Sequence, residues 1–119
     1  MKDVFGIGVD IVDVRMMARL IKGKAGKSFL KKTFTNQEIA YAKGNAQKLA
    51  AIFAAKEAAF KAFGTGWLDG KSVEVAHGKN AAPTLLLHGK MKKKIKGGKA
   101  LVSLSYTEGC AIAAVILSR

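Results

Sequence analysis

The sequence predicts an α+β fold in one domain over residues 1–119, and three observations lead there. After one opening strand, the first half carries apolar residues at helical spacing. The second half alternates in twos and is punctuated by Gly, Asn and Pro. Half of the 119 residues are apolar, which is enough for one buried core, and the only proline is Pro83. No Gly/Ser-rich linker and no internal repeat divides the chain.

Residues 4–12, VFGIGVDIV, alternate with a period of two. Phe5, Ile7, Val9 and Ile11 share one face, while Gly6, Gly8 and Asp10 share the other. The strand is expected to bury its odd face and leave the bare even face open to a close approach. Asp13 can cap a helix over 14–22. Val14, Met17 and Ile21 form its apolar stripe; Arg15, Arg19 and Lys22 form a basic one, with Met16 and Leu20 beside it. GKAGKSF reads as a flexible loop. Thr35 and Glu38 fit a capping box, with Phe34 and Ile39 placed for a hydrophobic staple, so a short helix follows to about Lys43. A long helix runs over 46–63 and stops at Gly64.

Residues 72–76 and 84–88 read as strands joined by HGKNAAP. GKMKKKIKGGK, with six lysines from Lys90 to Lys99, is a short helix or a solvated loop. Residues 100–106 and 110–117 form a hairpin around Thr107-Glu108-Gly109. Helices packed with a mainly antiparallel sheet complete the expected architecture.

Twenty-one Lys+Arg against eight Asp+Glu leave a formal charge of +13, a surface that attracts anions. No apolar run is long enough to span a membrane. The first ten residues lack the apolar core of a secretory signal. Cys110 is the only cysteine, so no internal disulfide can form. These features read as a cytoplasmic protein without a membrane association.

On the long helix, Leu49, Ile52, Phe53, Phe60 and Phe63 make one stripe that contains Lys56, and alanines cover the far side. With no broadly polar face, the helix should be buried nearly all round. Glu57 and Lys61 stand four apart. They fit an ordinary helix salt bridge. They also fit, with Lys56, a metal–phosphate site: Mg²⁺ is typically held by one or two carboxylates plus substrate phosphates, and lysines neutralise the phosphate oxygens. Gly64-Thr65-Gly66 would let backbone approach a bulky ligand. Asp10, the one functional group on the bare face of the first strand, is the candidate second carboxylate.

GIGVDIV, FTNQEIAY, FAAKEAAFKAFGTG and SLSYTEGCAIAAVI follow one another along the chain. Together they resemble the holo-[acyl-carrier-protein] synthases, the small bacterial type of 4′-phosphopantetheinyl transferase. The resemblance implies transfer of the 4′-phosphopantetheine arm from coenzyme A, a substrate, to a serine hydroxyl of apo-acyl carrier protein. The reaction would depend on Mg²⁺, release 3′,5′-ADP and activate the carrier for fatty acid biosynthesis. Asp10 and Glu57 match the family's metal ligands, and Lys61 its phosphate-contacting lysine. Glu57 is also the candidate base for the serine proton. Asn80 and Pro83 match the loop bordering the adenosine of coenzyme A. Lys56, Gly64, Thr65, Gly66 and Tyr106 complete the expected coenzyme-binding set. Arg15, Met16, Arg19, Leu20 and Lys22 match the surface that receives the acidic carrier. A homotrimer with sites at subunit interfaces is implied.

Three positions depart from the family pattern. Tyr106 stands where a histidine is usual, Ile52 where an arginine commonly precedes the FAAKEA motif, and Met16 where the carrier-facing arginine usually lies. Two rival readings accompany the transferase. A non-enzymatic basic RNA-binding module is suggested by the charge, although no aromatics interleave with the lysines. A trimer that kept the fold and lost activity is suggested by Tyr106. His77, His88 and Cys110 are expected to be structural, and Asp69, Glu74 and Glu108 to be turn or surface charges.

Overall fold

The structure is a computed structural model describing residues 3–80 and 82–119. Met1, Lys2 and Ala81 of the HGKNAAP connection lie outside the described residues. The element order is β1 (Val4–Asp13), α1 (Val14–Lys22), α2 (Gly26–Thr33), α3 (Asn36–Ala42), α4 (Ala46–Phe63), β2 (Val73–His77), β3 (Pro83–Leu87), α5 (Gly89–Ile95), β4 (Lys99–Tyr106) and β5 (Cys110–Ser118). A three-stranded antiparallel sheet has the order β1-β5-β4, and β2 and β3 form a separate antiparallel pair.

Helix α4 lies across the three-stranded sheet and is the centre of the core. Along its length only Lys61 is exposed. Asn45 caps its start by accepting the Lys48 N–H at 2.9 Å. Gly64 ends it in the left-handed conformation at φ 78°, and the Thr65 N–H turns back to the Phe60 carbonyl at 3.0 Å.

The bare face of β1 meets this helix. A Cβ added at Gly6 would overlap the Ala62 carbonyl oxygen, and one at Gly8 the Ala58 carbonyl oxygen. The burial expected for β1 is therefore reversed. The even face is packed, and Phe5, Ile7, Val9 and Ile11 are exposed, Ile7 at 70% and Ile11 at 65%. The reason is steric: only the glycine row lets a helix backbone reach the strand backbone, so the helix takes that side and leaves the bulky side open.

The GKAGKSF segment, expected as a loop, contains the start of α2. Phe29 and Leu30 pack against the core, and Thr33 is buried. That packing holds a helix that two glycines and weak periodicity conceal. Elsewhere the boundaries move by about one residue. His77 belongs to β2 and Pro83 opens β3. The lysine run forms α5, which buries Met91 and Ile95 and turns its lysines to solvent. Asp13 caps α1 by accepting the Arg15 and Met16 N–H groups at 2.8 and 3.1 Å. The Thr35–Glu38 capping box is present at α3.

Candidate active site

The glycine row also aims the first carboxylate. Gly6 touches α4 at Ala62 and Gly8 at Ala58 and Ala62, so the contacts move back along the helix as β1 advances. Asp10 is the next residue on that face. Its Oδ1 accepts a hydrogen bond from Lys61 Nζ at 2.8 Å, and the same ammonium donates to the Val9 carbonyl at 3.2 Å. The pair is partly open to solvent, with side-chain exposures of 16% for Asp10 and 50% for Lys61.

Glu57 lies one helical turn before Lys61. Burial is the main cause that raises its carboxyl above the usual 4.5, the charge of Asp10 raises it further, and Lys61 opposes both. The charge of Asp10 on β1 thus acts on Glu57 of α4. Lys61 is held above its ordinary value, chiefly by its hydrogen bond to Asp10 and then by that carboxylate's charge. The salt bridge expected within the helix is accordingly replaced: Lys61 pairs with Asp10 on β1, not with Glu57.

Two carboxylates with no third His, Cys, Asp or Glu grouped beside them, among the described residues, make an incomplete cage. Zinc in a structural site wants four nitrogen or sulfur donors. Mg²⁺ keeps waters and takes phosphate oxygens beside one or two carboxylates, and that donor set fits Asp10 and Glu57.

The sequence pattern of the 4′-phosphopantetheinyl transferase superfamily matches residues 6–111, a span that includes both acids and Lys61. The chain belongs to this superfamily. The transferase is 40% identical to the holo-[acyl-carrier-protein] synthase of Solibacter usitatus and 42% identical to that of Koribacter versatilis, each match covering 96% of this chain and 98% of the relative. Its fold is similar to that of the holo-[acyl-carrier-protein] synthase of Neisseria meningitidis, with a TM-score of 0.87 at 28% identity over 98% of this chain and 100% of that one. The Helicobacter pylori synthase, solved in complex with coenzyme A, gives 0.85 at 29% identity over 94% and 99%.

One expected site residue of the transferase is misplaced by the sequence reading. Lys56 is fully buried. Its Nζ lies 2.6 Å from Glu38 Oε1 and donates to the Gly70 and Val73 carbonyls at 2.6 and 2.9 Å. An ammonium has three protons, and all three are used, so Lys56 is not a ligand-binding residue. Burial lowers its proton affinity, and Glu38 opposes that shift. Glu38 is the residue the sequence reading assigned to capping alone. It serves α3 with one oxygen and receives the Val75 N–H on the other at 2.7 Å.

The remaining candidates are spread around the transferase. Gly64 and Gly66 are exposed, with Thr65 half-buried between them. Asn80 is exposed and Pro83 half-buried at the start of β3. Tyr106 lies at the end of β4, on an open recess of about 210 Å³ shared with Tyr41, Lys48, Ala51, Ile52, His77 and Leu104. There His77 stacks on Tyr41 with ring centroids 3.8 Å apart, and Lys48 sits 4.9 Å from the Tyr41 centroid. Burial lowers the His77 proton affinity, and Lys48 lowers it further. On α1, Arg15, Met16, Arg19, Leu20 and Lys22 are all exposed, and Met17 beneath them is core. Glu74, expected as a surface charge, is half-buried and accepts the Thr35 hydroxyl at 2.7 Å and pairs with His88 at 3.0 Å.

Proposed function

We propose that this transferase moves the 4′-phosphopantetheine arm from coenzyme A to the serine hydroxyl of an apo-acyl carrier protein and releases 3′,5′-ADP. The observation that supports the reading is the Asp10–Lys61 pair joining β1 to α4, with Glu57 one helical turn away and under the charge of both. Asp10 and Glu57 would hold Mg²⁺. When bound, that ion supplies positive charge to the pyrophosphate being cleaved. Lys61 supplies a second, mobile positive charge to the same phosphate oxygens. Glu57, one helical turn before Lys61, accepts the serine proton. The backbone of Gly64 to Gly66 approaches the coenzyme closely, and Asn80, Pro83 and Tyr106 border its nucleotide end.

The exposed side of α1 receives the carrier. Arg15, Arg19 and Lys22 meet carrier carboxylates while Met16 and Leu20 pack beside them, an arrangement that speeds association and weakens with salt. The setting is cytoplasmic, the carrier serves fatty acid biosynthesis, and neither nucleic acid nor a membrane takes part. No helix of the described residues is long and apolar enough to cross a membrane. The test is direct: incubate the protein with coenzyme A, Mg²⁺ and an apo-carrier, and weigh the carrier. Addition of the arm, lost with EDTA, is the expected result; an unchanged carrier mass overturns the reading.

The open side of the sheet fits a homotrimer. Ile7 faces Ile116, and Ile116 faces Leu101, while Ile11 faces Ile112 across the neighbouring pair. Phe5, Ile7, Val9, Ile11, Leu101 and Ile112 are all exposed in the single chain. A continuous apolar sheet face of this kind marks an interface. The Ile7→Lys/Ile11→Lys variant is expected to be monomeric by light scattering where the parent is trimeric. A trimeric variant would remove this face from the assembly.

A further inference from the structure

Lys56 precedes Glu57 in the chain, yet the reaction proposed above has no use for it. Its surroundings show what it holds. The segment 64–72 leaves α4 and enters β2. At its far end Lys56 grips the Gly70 and Val73 carbonyls, backed by Glu38 from α3. Lys71 reaches the other way and donates to the Lys31 and Phe34 carbonyls at the end of α2. Asp69 Oδ1 closes the turn by accepting the Lys71 and Ser72 N–H groups, both at 2.7 Å. Gly70 itself is seated so tightly that an added Cβ would overlap the Lys32 and Thr33 carbonyl oxygens. Midway, Trp67 packs on Phe53 and Phe60 of α4, with centroids 5.2 and 5.5 Å away.

At its near end the segment is tied to α4 by the Gly64 cap. The stretch from Gly64 to Gly66, with both glycines exposed, is thus suspended between two fixed points. A buried ion pair is a costly way to make such an anchor if stability is the only return. Apolar residues of similar volume generally serve as well. What an ammonium adds is directed bonds: two to the Gly70 and Val73 carbonyls and a third to the Glu38 carboxylate.

We propose that Lys56 and Glu38, together with Lys71, are positioning residues: they clamp the connection after α4 so that the Gly64–Gly66 backbone is preorganised for coenzyme A. The inference rests on the transferase reading and assigns to it residues that never touch the substrate. A preorganised segment lowers the cost of binding, so loosening it shows in KM and in the dissociation constant more than in kcat.

The experiment compares the parent with Glu38→Met/Lys56→Met and with Lys71→Met. It measures the melting temperature, coenzyme A binding by calorimetry, and KM and kcat for arm transfer. The double variant is expected to fold and to melt below the parent: both charges leave together, but the Thr35 and Val75 N–H groups and the Gly70 and Val73 carbonyls lose their partners. Its KM and dissociation constant for coenzyme A should rise about tenfold, with kcat changed much less. Lys71→Met changes an exposed side chain, so it folds whatever the double variant does, and should weaken coenzyme A binding several-fold. A folded double variant that binds coenzyme A as the parent does overturns the positioning role. If the double variant does not fold, parent-like binding by Lys71→Met overturns it. A parent that binds coenzyme A but transfers nothing ends the transferase reading while the binding comparison still decides the clamp; a parent that does not bind coenzyme A ends both.

Discussion

Glu57→Gln is expected to abolish arm transfer, by at least about 10³-fold, without unfolding the protein. Glutamine keeps the shape and loses both the charge that would hold a cation and the site that accepts a proton. The stability side has a definite sign. The folded protein raises the Glu57 carboxyl above 4.5, first by burial and then through Asp10. A raised carboxyl favours the folded state below its unfolded value, and that contribution is lost as pH rises through the folded value. At neutral pH the ionised Glu57 therefore works against folding, and Gln does not. In metal-free buffer at pH 7 the variant should melt at or above the parent's temperature. As pH falls toward 4, the advantage should shrink. Inactivity together with a clear drop in melting temperature at pH 7 would assign Glu57 to the scaffold instead.

Gly8→Ala is expected to cost about 3 kcal/mol, at the upper end of what overpacking a well-filled site costs. The added methyl meets the Ala58 carbonyl and the Ala62 N–H, which are backbone atoms in the last turns of a buried helix. Neither can rotate away, so the strand and the helix must separate. Asp10 lies two residues along the same face and moves with the strand, which takes its carboxylate from Lys61. Chemical denaturation checks the energy, and arm transfer by the surviving folded fraction checks the displacement. The control is Gly109→Ala in the exposed turn before β5, where an added Cβ meets nothing within 4 Å. A parent-like denaturation midpoint for Gly8→Ala would mean that the strand–helix contact is softer than the structure shows.

Most of the architecture could be read in advance because its signals are local. The Thr35–Glu38 box, the Asn45 and Gly64 caps and the Thr107-Glu108-Gly109 turn each mark their own element within a few residues. α2 was hidden because its glycines and lysines give a poor pattern, and packing of Phe29, Leu30 and Thr33 supplies what propensity lacks. The inversion of β1 could not be seen from alternation, which tells that two faces differ but not which one a helix will take. Resemblance paired Asp10 with Glu57, and the glycine row gives the pairing a mechanical cause. Lys56 was misread for a related reason. Its acid, Glu38, stands 18 positions earlier on another helix, and no spacing rule on α4 can show a partner that arrives from elsewhere.

The first strand is committed on both sides at once. Slipping its register by a single residue would turn the carboxylate of Asp10 outward among isoleucines. It would also push Val9 and Ile11 against a helix with room only for hydrogen atoms. Neither error can be tolerated in exchange for the other, so the pairing of β1 with β5 has one acceptable setting, and the geometry of the chemistry is inherited from it.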